Sequence, residues 1–169
     1  MTTSLLAAAA LLLSFAIPAM AGPKVKFETT MGAFVIEVNE EKAPITAANF
    51  LAYVDEGFYD GVVFHRVIPN FMAQGGGFAA EAGMYVEKPT RDPIQNEADN
   101  GLRNVKGSVA MARTSDPHSA SAQFFVNFKD NDFLDHTAKT PRGWGYAVFG
   151  QVVEGMDVVE KMAFQGTGD

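Results

Sequence analysis

Residues 64–77 read Phe64-His65-Arg66-Val67-Ile68-Pro69-Asn70-Phe71-Met72-Ala73-Gln74-Gly75-Gly76-Gly77. Two short apolar runs meet at Pro69-Asn70, a pair suited to a turn, so the block predicts a tight hairpin of two short strands. Side chains alternate along a strand, which lets Arg66 share a face with Met72 and Gln74. One cation and one amide then border an apolar hollow. Few folds tolerate that arrangement, because a guanidinium among aromatic and thioether side chains needs a role or a partner.

Further along, the hydrophobic period changes several times. Residues 25–29 and 33–38 alternate or run apolar around Thr30-Met31-Gly32 and predict a second hairpin. From 43 to 56 the period lengthens: Pro44 suits a first helical turn, Ala47, Phe50, Leu51 and Val54 make an apolar face, and Gly57 can end the helix. Residues 79–106 carry Pro89, Pro93 and several Asn and Asp, the composition of a long surface loop. Strands are expected again at 108–112, 123–128 and 146–153, and a second helix at about 155–163. Antiparallel strands with two helices point to a mainly β domain, a closed barrel plugged at its ends.

Residues 1–21 hold no charged side chain, run apolar from Leu5 to Ile17 and finish in Ala19-Met20-Ala21. This pattern predicts a secretory signal peptide cleaved after Ala21, the alternative being an uncleaved anchor. Stable membrane insertion is not expected, since the apolar stretch is shorter than the ~20 residues a span needs. Residues 22–169 make one domain with a single core, for which thirteen of the chain's fourteen Phe supply ample material. With no cysteine, disulfides and thiolate metal sites are excluded. A net charge of -7 with scattered Lys and Arg argues against nucleic-acid binding. No apolar helix or heptad is left over to pair subunits, so a monomer is expected.

The hairpin block, together with Ser108-Val109-Ala110-Met111-Ala112-Arg113, Gln123-Phe124-Phe125-Val126-Asn127, Phe133-Leu134-Asp135 and Tyr146-Ala147-Val148-Phe149-Gly150, resembles the cyclophilin family of peptidyl-prolyl cis/trans isomerases. The likeness runs in order from about Val25 to Met162. The loop between the Met-Ala-Arg and Gln-Phe-Phe blocks and residues 96–104 resemble the bacterial, exported branch. The resemblance implies a closed antiparallel cyclophilin-like β-barrel capped by two helices, isomerase activity without cofactor or metal, and a place in the periplasm. It also implies a last strand after the second helix, whereas the chain ends in Gly166-Thr167-Gly168-Asp169 with no apolar run to supply it. A fragment is therefore expected, the alternative being a barrel closed differently.

By the same resemblance Arg66 and Gln74 are the catalytic pair. Phe71, Met72, Phe125 and Leu134 line the slot for a proline ring, Ala112 and the backbone of Arg113 flank the residues before proline, and Gln123 lines the neighbouring pocket. Phe133 and Tyr146 stand where eukaryotic members carry tryptophan and histidine, which implies weak binding of cyclosporin. The partners implied are proline-containing peptides and unfolded exported proteins. A non-catalytic proline-peptide binder is the rival reading, and Arg66 as a structural residue paired with a carboxylate is the rival for that side chain. Phe64 and Phe124 are expected in the core. His65, His118 and His136 lack ligand spacing and are expected in ordinary surface or barrel-end roles.

Overall fold

The computed structural model describes residues 22–165; the expected signal peptide over 1–21 and the chain end at 166–169 lie outside the described residues. The strands are β1 (Lys24–Thr29), β2 (Gly32–Val38), β3 (Arg66–Ile68), β4 (Met72–Gly75), β5 (Phe78–Glu81), β6 (Met84–Glu87), β7 (Ser108–Met111), β8 (Phe124–Asn127) and β9 (Val148–Glu154). The helices are α1 (Pro44–Asp55) and α2 (Met156–Met162). Seven strands pair antiparallel in the order β1-β2-β9-β7-β8-β4-β3, and β5 with β6 forms a separate ribbon.

Alternation decides which side chains reach the centre. In β2, Phe34, Ile36 and Val38 are buried, and across the sheet Val109, Phe124, Val126 and Phe149 join them. The sheet curls enough that Phe27 on edge strand β1 lies 5.6 Å from Phe124 on β8, centroid to centroid. Phe50 on α1 meets Phe124 edge-to-face at 5.7 Å and Phe149 at 4.9 Å, so helix and sheet share one aromatic core.

The start of α1 has no capping side chain of its own. Glu97, some fifty residues later, supplies it: its carboxylate accepts from Ile45 N–H at 3.1 Å, Thr46 N–H at 2.8 Å and the Thr46 hydroxyl at 2.7 Å. A carboxylate there satisfies otherwise orphaned donors and meets the positive end of the helix dipole.

Two expectations are corrected. The sheet is curled and not closed: among the described residues β1 and β3 are its two unpaired edges, bordering a cleft of about 810 Å³ lined by Phe27, Tyr59, Phe64 and Phe124. The stretch 79–106 is not all loop, since it begins in the β5–β6 ribbon, whose turn places Ala82 at φ 49° and Gly83 at φ 80°. An Ala-rich strand without alternation hid it. On α1 the expected face does pack on the core, Ala47 and Phe50 buried and Leu51 and Val54 half-buried against it, with Thr46 and Tyr53 buried as well.

Candidate functional site

The turn between β3 and β4 fixes the register of the site. Phe71 N–H closes on Ile68 C=O at 3.1 Å, with Asn70 in the left-handed region at φ 58° after Pro69. Arg66 is then directly opposite Gln74, Val67 opposite Ala73, and Ile68 opposite Met72. Val67 and Ala73 face the main core, whereas Met72 belongs to a second apolar cluster on the other face.

Arg66 Nη1 donates to Gln74 Oε1 at 3.3 Å, and Gln74 Nε2 donates to Gln123 Oε1 at 2.9 Å. A guanidinium has no acceptor, so it dictates which end of the Gln74 amide it meets, and the other end is left to donate to Gln123. Arg66 is exposed and takes part in none of the ion pairs among the described residues. The carboxylate-paired alternative is thereby removed, and its free N–H groups point to a ligand or to water. Gly77 makes room for Gln123, since a Cβ there would come within 2.6 Å of that side chain.

Beside this polar row lies an apolar slot. Met72, Ala110, Phe125, Leu134 and Val148 form its buried floor, and Phe71, Ala112 and Tyr146 its half-buried rim. Tyr146 meets Phe125 edge-to-face at 5.7 Å. Phe133 is 72% exposed and stacks on Phe71 at 5.7 Å, forming an outer lip. Arg113 joins through its guanidinium, 4.7 Å from the Tyr146 ring centroid. Every site residue expected from the sequence is thus in this one patch. As expected, Phe124 is core and its neighbour Phe125 faces the slot, while Phe64 packs half-buried against the core.

What the sequence reading missed is the support beneath the slot. Asn131 Nδ2 donates to Phe71 C=O at 3.1 Å and to Asn127 Oδ1 at 2.7 Å, and Asn127 Nδ2 donates to Asn104 Oδ1 at 3.2 Å and Ser108 Oγ at 2.9 Å. Asn104 in turn donates from its N–H and its Nδ2 to Asp135 Oδ1, at 2.7 and 3.1 Å. Burial alone would raise the Asp135 carboxyl, but these donors and the Arg103 guanidinium outweigh it and hold it below the usual carboxylate value. The network ties Phe71, Leu134 and β8 together. Asparagines scattered over thirty residues give no spacing signal that would have grouped them.

Of the histidines, His118 and His136 flank the ring of Trp144 at 5.0 and 5.3 Å. His65, next to Arg66, packs against Phe78 with the rings tilted by 60° and their centroids 4.5 Å apart. Burial pushes its imidazole below the ordinary value, and the Arg66 charge acts in the same direction.

An exposed guanidinium, an oriented amide and an apolar slot contain no nucleophile; they can bind a small apolar ring and polarise the peptide group next to it. Known proteins agree. Residues 24–169 match the family model described as cyclophilin type peptidyl-prolyl cis-trans isomerase/CLD. The chain is 60% identical over 144 residues to peptidyl-prolyl cis-trans isomerase cyp18 of Streptomyces antibioticus, covering 85% of each. It is 56% identical over 144 residues to peptidyl-prolyl cis-trans isomerase B of Escherichia coli strain K12, covering 85% of this chain and 86% of that one. Among solved structures, cyclophilin AquaCyp293 from Hirschia baltica superposes with a TM-score of 0.67 at 29% identity, over 81% of this chain and 66% of that one. A Cryptosporidium parvum cyclophilin-type isomerase, solved in the presence of the dipeptide Ala-Pro, shares the fold with a TM-score of 0.67 at 23% identity, over 83% of this chain and 85% of that one. The chain belongs to the cyclophilin-type peptidyl-prolyl cis-trans isomerases and is an enzyme of that activity.

Proposed function

We propose that this enzyme isomerises X-Pro bonds of unfolded exported proteins in the periplasm, with Arg66 as the group that stabilises the twisted amide. The observation that carries the reading is Arg66 held by an amide, free of any carboxylate among the described residues, at the rim of an apolar slot.

Rotation about a peptide bond meets a barrier of ~18–20 kcal/mol because resonance stiffens the carbon–nitrogen bond. Before proline both isomers are populated, and exchange takes roughly tens to hundreds of seconds unaided. A catalyst therefore needs only to bind the twisted amide better than the planar ones. As the amide twists, the prolyl nitrogen regains a lone pair. A guanidinium can donate to it while remaining charged at every physiological pH. The proline ring sits on Met72, Phe125 and Leu134, with Phe71, Phe133 and Tyr146 around it. Gln74 holds the substrate carbonyl, Ala112 and the backbone of Arg113 take the preceding residues, and Gln123 lines the next pocket. Each ~1.4 kcal/mol gained by the twisted form alone is worth a factor of ten in rate.

Export is supported by the leader pattern of residues 1–21, and a chain without cysteine is compatible with it. The enzyme acts as a monomer. Cyclosporin binds it weakly, because Phe133 offers a ring but no N–H donor.

The test is the exchange rate of a short X-Pro peptide, followed by NMR, for the chain and for Arg66→Ala. Acceleration that the substitution removes by about a hundredfold or more, with the fold retained, supports the reading. Binding of the peptide by the wild-type chain without acceleration would hand the site to a proline-peptide binder. N-terminal sequencing of the protein recovered from a periplasmic fraction should begin at Gly22; a full-length chain retained in the membrane would overturn export as a soluble enzyme.

A further inference from the structure

We infer that the Arg113 side chain is a positioning residue for peptide affinity: it braces the Tyr146 wall of the slot and the free backbone rung beside it. This rests on the site reading above and deepens it.

The guanidinium of Arg113 is half-buried and spends its donors on backbone carbonyls. Nε reaches Gly145 C=O at 2.9 Å, Nη1 reaches Thr114 C=O at 2.9 Å, and Nη2 reaches Pro141 C=O at 3.4 Å. It takes part in none of the ion pairs among the described residues, so charge pairing is not its purpose. One planar group thereby ties the end of β7 to the segment that leads into Tyr146. Its central carbon lies over the Tyr146 ring, 4.7 Å from the centroid, and the same ring meets Phe125 at 5.7 Å. Guanidinium, Tyr146 and Phe125 form one continuous wall.

The anchoring points are themselves fixed. Gly145 C=O also accepts from Asn96 Nδ2 at 3.2 Å, and Tyr146 N–H donates to Leu134 C=O at 2.9 Å. Gly145 has φ 70°, and a Cβ there would come within 2.6 Å of residues 134–135. The backbone beside this wall is open to a ligand. Ala112 N–H donates to Gln123 C=O at 2.9 Å, but the N–H and C=O of residue 113 have no partner among the described residues. An extended peptide can use them as a strand partner, and the side chain fixes their direction by holding the residue from beyond. Lysine could not do the same, since a single ammonium cannot meet three divergent carbonyls and lie flat on a ring.

Nothing in this arrangement reaches the twisting amide beside Arg66. Arg113 strengthens planar and twisted substrate alike, which moves KM and leaves kcat. The experiment is steady-state isomerisation of a blocked Ala-Ala-Pro-Phe anilide by the full chain and by Arg113→Ala, Arg113→Lys, Tyr146→Leu and the double variant. Arg113→Ala should raise KM about three- to tenfold, the scale of one desolvated cation–π contact, with kcat within about twofold. Arg113→Lys should recover less than half of that loss. The double variant should fall closer to Tyr146→Leu than to the product of the two single effects.

An unchanged KM in folded Arg113→Ala overturns the inference. So does a fall in apparent kcat that tracks a lowered Tm at constant KM, the signature of a purely structural residue. If Arg113→Ala does not fold, Arg113→Met, which keeps an apolar stem, is read by the same split. If Arg66→Ala keeps wild-type kcat, the site reading itself fails; an inactive Arg66→Ala beside an unchanged KM in Arg113→Ala sinks only the role of Arg113.

Discussion

A guanidinium held by an amide keeps its charge uncompensated, and that separates Arg66 from most arginines on a protein surface. Replacing Gln74 by glutamate would put a carboxylate at the same 3.3 Å and give Arg66 a resident partner. On the proposed role of Arg66, Gln74→Glu should lower kcat about tenfold or more, because the guanidinium would then serve its own protein in place of the twisted amide. The urea midpoint should stay the same or rise slightly, an exposed pair being worth ~0–1 kcal/mol. Loss of activity matched by loss of stability would count against this account.

Strand β8 serves two purposes through its pleat. Phe124 meets the rings of Phe27, Phe50, Tyr59 and Phe64, whereas Phe125 faces Tyr146 and the slot. Phe124→Leu should cost about 1–3 kcal/mol in chemical denaturation and leave the kinetics of the folded fraction intact. Phe125→Leu should cost less and raise KM. At the next junction, Gly155 joins β9 to α2 at φ 73°, and a Cβ there would lie 2.3 Å from Ala33 C=O. Gly155→Ala should therefore destabilise by at least the ~1–3 kcal/mol of a strained backbone, read as a lower urea midpoint. A neutral result would mean that β2 and α2 yield more than their packing implies.

Over the whole molecule, two partly buried groups contribute to the acid limb of stability, beside the exposed carboxylates Glu28, Asp99 and Asp157, which are also held below their ordinary value by lysine partners. His65 is pushed below the ordinary 6.5, so the unfolded chain binds its proton more readily. Stability is full above that value and declines as pH falls through it. Asp135 is held below the ordinary 3.8, so its contribution is present above that value and is lost as pH falls below it. Thermal melts should show a first decline below about pH 6.5, removed by His65→Gln, and a second below about pH 4, flattened by Asp135→Asn. A melt curve level from pH 7 to 5 would exclude the His65 contribution.

Much of this was legible in the chain itself, because the information is local. The Pro69-Asn70 turn sets the register that puts Arg66 across from Gln74, and alternation assigns Phe124 and Phe125 to opposite faces. The periods of both helices depend on near neighbours in the same way. Other features are relations between distant residues and leave no such trace. Glu97 caps a helix some fifty residues away, asparagines from three segments meet under the slot, and Arg113 closes on carbonyls up to 32 residues further along the chain. The β5–β6 ribbon escaped because its alanines carry no alternation. Local sterics and side-chain periodicity determined most of the strands, the turn and the pairing of Arg66 with Gln74, while the other site residues were legible only through the family resemblance. Only the folded chain decided how the sheet curls and which buried polar groups find one another, since those partners are chosen by packing and by the cost of leaving any of them unsatisfied.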